Sequence, residues 1–91
     1  MISKERAQAL IVEECEAIRA LLLAKNEAYG NSALEPMRVF SRASAVEQIL
    51  VRIDDKLSRL ARGENAGEDV VLDLIGYLVL LRVARRSETE G

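Results

Sequence analysis

Eight charged side chains in this chain fall on or beside positions where an apolar residue is expected. They are Glu14 and Lys25, then Arg52, Asp55, Lys56 and Arg59, then Asp69 and Asp73. The two aspartates lie four apart in EDVVLDLIGYLVLLRVA, residues 68–84, a segment otherwise apolar on nearly every side. At about 100° per residue they share one helical stripe, continued by Gly76, Tyr77 and Leu80. An ionised carboxylate in such surroundings is costly unless it is paired or holds a cation. A patch that interleaves acids and bases binds anions through its bases and a hard cation through its acids, and phosphate accompanied by Mg²⁺ has both features. On that reading Glu14, Asp55, Asp69 and Asp73 are candidate Mg²⁺ ligands, and Lys25, Arg52, Lys56 and Arg59 are candidate phosphate contacts.

The same residues admit a second reading. Asp69 with Arg52 or Lys56, and Glu14 with Lys25 or a neighbour, are also what interhelical salt bridges look like when they fix register in a small bundle. Asp73 lies deeper in the apolar segment. Gly76 beside it leaves room either for a ligand group or for a close helix contact. Both readings stand at the level of sequence.

Three long helices are expected to position these groups. The first runs over about residues 4–28, capped by Ser3 and free of Gly and Pro. Its apolar face is Leu10, Ile11, Ile18, Leu21 and Leu22, with Glu14 and Lys25 in the middle of that face, while Glu13, Glu16 and Glu27 project to the opposite, solvated side. Gly30 is expected in the left-handed conformation of a C-cap, and Asn31 and Ser32 favour a turn. Pro36 suits the first position of a short helical turn over 35–40, whose Met37, Val39 and Phe40 would pack over the bundle. Ser44 and Glu47 form a capping box that opens a second helix over about 44–61, with Val46, Ile49, Leu50, Ile53, Leu57 and Leu60 as its core stripe. Residues 62–67 read as a turn between antiparallel helices, and a third helix follows over about 68–86 with a frayed tail. The expected fold class is therefore all-α, a single helical domain over 1–91 built as a small bundle of three long helices with a short connecting turn. The last helix is apolar on two sides, which predicts a homo-oligomer.

Composition narrows the chemistry. The formal net charge is −2 with acids and bases mixed throughout, so there is no basic footprint for duplex nucleic acid or a membrane surface. Histidine is absent, which removes the usual imidazole ligand and the usual general base near neutral pH. Any metal site must then be built from oxygens, which suits Mg²⁺ or Mn²⁺ rather than zinc. The single cysteine, Cys15, reads as an inert structural thiol bordering an apolar face. The first residues, MISKERAQ, lack the apolar core of a signal peptide, and the longest apolar run is too short for a bilayer, so a cytoplasmic protein is expected.

Three ordered motifs carry a resemblance. Lys25-Asn26 with Tyr29-Gly30, then Arg52-x-x-Asp55-Lys56-x-x-Arg59-Leu60, then Asp69-x-x-x-Asp73-Leu74-x-Gly76-Tyr77 resemble the first type of the phage nucleotide modification associated domains, over residues 25–82. That family's pattern places an aspartate before the Tyr-Gly pair, where this chain has Ala28. A more distant similarity is to the all-helical nucleoside triphosphate pyrophosphohydrolases of the MazG type. Their Glu-x-x-Glu pair is matched in spacing by Glu13 and Glu16, while Asp69 and Asp73 are four apart rather than three. The resemblance implies nucleotide handling in a phage setting, with Tyr29 and Tyr77 joining the four bases as candidate nucleotide contacts. If the protein is an enzyme, the implied reaction is Mg²⁺-assisted attack of water on a nucleoside triphosphate. The alternative is a non-catalytic interaction protein, such as a phage counter-defence factor or nucleotide sponge, whose charge cluster recognises a ligand or holds the helices together.

Overall fold

Three stretches of helix formers, each preceded by a short side chain bearing an oxygen, set the architecture. The computed structural model describes residues 1–64 and 67–90, and among these the protein is all-α, with α1 over Lys4–Tyr29, α2 over Ala45–Arg62 and α3 over Val70–Glu90 and no strand. Every helix begins with a side chain that accepts one of the orphan first-turn N–H groups. Ser3 Oγ accepts from the N–H of Arg6 at 3.0 Å, Ser44 Oγ from Glu47 at 3.1 Å, and Asp69 Oδ1 from Leu72 at 3.0 Å.

That last bond corrects the reading of α3. Asp69 lies before the helix as its N-cap, and α3 starts at Val70 rather than 68. A carboxylate there meets a free N–H and the positive end of the helix dipole, which favours it over a place in the apolar stripe. At its other end α3 does not fray after 86 but continues to Glu90, with Thr89 Oγ1 donating to the carbonyl of Arg86 at 2.8 Å.

Two glycines end α1 and α2 in different ways. Gly63 is left-handed, φ 73° and ψ 14°, and its N–H reaches the carbonyl of Leu60 at 3.2 Å while that of Glu64 reaches Arg59 at 3.0 Å. Gly30 also has positive φ, 63°, but its ψ of −153° puts it outside the expected left-handed well, in a region that only glycine enters without strain. Of the expected turn over 62–67, Asn65 and Ala66 lie outside the described residues.

No helix forms over 35–40. The helical turn falls earlier, where the N–H groups of Leu34 and Glu35 both reach the carbonyl of Asn31, at 2.9 and 2.6 Å. Glu35 precedes Pro36, whose ring disfavours helical backbone in the residue before it, so the turn stops there. Met37, Val39 and Phe40 are consequently exposed instead of packed over the helices, Phe40 fully so.

The chain divides into two units, Met1–Gly30 and Asn31–Gly91. In the first, α1 contains no fully buried residue; its least exposed side chains are Ala7, Leu10, Ile18, Leu21 and Leu22, whereas Ile11 is exposed. Cys15 is exposed too, contrary to the structural thiol expected. In the second, α2 and α3 form a hairpin whose core joins Ile49 and Ile53 of α2 to Leu81 and Ala84 of α3. Leu34, Val46, Leu50, Leu74, Tyr77 and Leu80 pack around it. Each fully buried aliphatic side chain contributes about 1.5–3 kcal/mol. Among the described residues no helix is long and apolar enough to cross a membrane.

Candidate functional site

On α2 the buried stripe runs Ile49, Ile53 and then Lys56, each a helical turn after the last. Leu57 and Leu60, expected in that stripe, are both 47% exposed. The position that would carry a third core aliphatic is thus held by a lysine with only 11% of its side chain exposed. It is tolerable because the stem packs along the hairpin while the ammonium finds two carboxylates. Lys56 Nζ lies 3.0 Å from Glu68 Oε2 and 3.3 Å from Asp73 Oδ2. The hydrogen bond that the Lys56 ammonium donates to Glu68, then the one it donates to Asp73 and the charges of both, outweigh burial and hold its pKa above the ordinary lysine value.

Arg59, one turn further along α2, extends the cluster. Its Nε is 3.2 Å from Asp55 Oδ2 and its Nη1 3.2 Å from Glu68 Oε2. Asp55, Arg59, Glu68, Lys56 and Asp73 therefore form one chain of alternating charge that ties α2 to the residues before and inside the first turn of α3. At the α2 terminus Arg62 pairs with Glu64, with Nε to Oε1 at 2.9 Å and Nη2 to Oε2 at 3.2 Å, and donates to Ser58 Oγ. This pair raises the Arg62 pKa and lowers that of Glu64, mainly through the hydrogen bonds between them. It is exposed, and pairs of that kind contribute little to stability.

Three of the candidate Mg²⁺ ligands are engaged within the second unit. Asp69 caps α3, Asp73 is paired with Lys56, and Asp55 is paired with Arg59, so each is committed to a protein partner. Glu14 is exposed on α1 in the first unit. No group of three or more His, Cys, Asp or Glu side chains suited to a metal ion occurs among the described residues.

The candidate phosphate contacts differ in their surroundings. Lys56 and Arg59 carry carboxylates, and Tyr77 packs against the hairpin core. Lys25 and Arg52 are exposed and enter no ion pair among the described residues, and Tyr29 is 73% exposed at the end of α1. Neither Arg52 nor Lys56, the two bases expected to meet Asp69, forms an ion pair with it among the described residues; the inward base of α2, Lys56, meets Glu68 and Asp73 instead. An open depression of about 380 Å³ lies at the turn end of the hairpin, lined by Arg59, Leu60, Gly63, Glu64, Glu68, Asp69, Val70 and Val71. Three acids against one base make it a poor cradle for a polyanion.

Glu68 is the member that the sequence reading missed. Its signal was its place across a short turn from the basic end of α2, where a carboxylate meets Lys56 and Arg59 as soon as the hairpin closes. Comparison of the chain with protein-family models, with curated proteins and with solved structures found no match.

Proposed function

We propose that this chain is a non-catalytic helical interaction protein of the cytoplasm, in which the charge cluster closes the α2–α3 hairpin and contacts with partners are made by exposed apolar helix faces. The observation that carries the reading is the position of Lys56. Its ammonium occupies a core position and is divided between Glu68 and Asp73, as expected for a clamp and not for a phosphate contact waiting for ligand. Self-association belongs to the same reading, because the hairpin leaves Val71, Ile75, Leu78, Val79 and Val83 of α3 in solvent.

The nucleotide-binding reading, with Mg²⁺-dependent pyrophosphohydrolysis as its catalytic form, is kept as the second one. What favours it is the motif resemblance together with the exposed cations Lys25 and Arg52. It requires Lys56 and Arg59 to exchange carboxylates for phosphate. Calorimetric titration of the common nucleoside triphosphates, with and without Mg²⁺, separates the two. The interaction reading predicts no binding heat in wild type. Micromolar binding that weakens in Arg59→Ala would replace it with the nucleotide reading.

A further inference from the structure

The partner of this interaction protein is written along α3. Its inner arc holds Val70, Asp73, Tyr77, Leu81 and Ala84 against α2 or around the hairpin core, and the opposite arc is a second apolar stripe. On that stripe Val71 is 52% exposed, Ile75 36%, Leu78 44% and Val79 38%. Arg82 and Arg86 continue it toward the C-terminus. The stripe also has electrical polarity. Around its first end stand five carboxylates, Asp55, Glu64, Glu68, Asp69 and Asp73, against three bases, Lys56, Arg59 and Arg62. At its other end stand the exposed bases Arg82, Arg85 and Arg86. Glu88 projects to the far side of the helix and Glu90 is its last residue.

A surface that is apolar at its centre, acidic at one end and basic at the other is complementary to itself when reversed. We infer that this face of α3 is the seat of a second copy of the chain, packed antiparallel about a two-fold axis near Leu78 and Val79. In that arrangement Ile75, Leu78 and Val79 interdigitate with their counterparts, and Arg82 covers the partner copy's Ile75 with its stem. Arg86 comes beside the partner copy's Val71, within about one turn of its acidic end. The helix dipoles oppose one another favourably. A parallel pairing would instead set the arginines against arginines and the acids against acids, which is destabilising. An isologous contact of this kind closes after two copies and leaves no open end for polymerisation.

The inference rests on the interaction reading and is tested apart from it by engineered cysteines in a Cys15→Ser chain, since Cys15 is itself exposed. Under mild oxidation Val79→Cys should form a covalent dimer efficiently. Val71→Cys alone should not, but an equimolar mixture of Val71→Cys and Arg86→Cys should form the heterodimer. Val79→Glu, an exposed substitution that leaves the hairpin core untouched, should keep its helical circular dichroism and raise the dimer dissociation constant by at least about 30-fold, because it sets the carboxylates of the two copies against each other at the axis. Efficient self-linking of Val71→Cys, or a wild-type chain that sediments as a monomer at tens of micromolar, overturns the inference. A monomer that binds no nucleotide would overturn the dimer alone, and a dimer that binds nucleotide through Arg59 would overturn the interaction reading alone.

Discussion

The ammonium of Lys56 lies 3.3 Å from the Asp73 carboxylate across the α2–α3 hairpin, on the helical stripe that Ile49 and Ile53 begin. Neither residue is expected inside an apolar contact, and each makes the other admissible there. Replacing Lys56 with Ala removes the shared donor from Glu68 and Asp73 together. A hydrogen bond to a charged group is worth about 1.5–3 kcal/mol, and Asp73 is mostly covered, so Lys56→Ala should lose stability within that range in urea denaturation. A loss below about 0.5 kcal/mol would class the pair with ordinary surface salt bridges.

The clamp has a pH signature. The folded-state pKa of Lys56 is raised, so its contribution is complete below the unfolded lysine value of about 10.4 and is lost as pH climbs through the raised folded value. Melting temperatures measured from neutral to strongly alkaline pH should fall more steeply above about pH 10 in wild type than in Lys56→Met. Parallel curves would contradict the assignment.

Asp69 is predicted to act through a cap. Asp69→Ala leaves the N–H of Leu72 without its acceptor and should cost about 1 kcal/mol, whereas Asp69→Ser should restore most of the loss. Equal melting of the two variants would mean that the charge, and not the cap, is what matters at this position.

Much of the fold could be read locally. Ser3 and Ser44 announce their helices, and Ile49 and Ile53 stand out by period alone, because caps and stripes depend on residues within a turn of each other. Asp69 was misplaced because Asp69 and Asp73 fit one stripe if helix is assumed from 68, while the competing cap signal lies in the preceding Gly67 and Glu68. The partners of Lys56 were less legible, since they depend on the register in which α2 meets α3. The partners of the three candidate aspartates were hidden for a related reason. Spacing shows which carboxylates could converge, but not that Asp55, Asp69 and Asp73 each have a nearer partner on their own element or on the adjoining one.

The chain turn at Gly63 gives a backbone test. Its φ of 73° lies where a β-carbon is strained, although the space around it is open. Gly63→Ala should therefore destabilise the hairpin by about 1 kcal/mol without altering contacts, as read by denaturation. Unchanged stability would show that the α2 terminus relaxes at no cost.

We propose that Asp73 serves the hairpin, through Lys56, and not a cation. Asp73→Asn keeps the shape but removes the charge facing Lys56, so the variant should melt below wild type by the same margin in chelator, in Mg²⁺, and in Mg²⁺ with a nucleoside triphosphate. The decisive measurement is that set of melts on both proteins. A constant deficit is the result predicted here; wild type stabilised by Mg²⁺ or by its nucleotide complex, with that gain lost in Asp73→Asn, would contradict it.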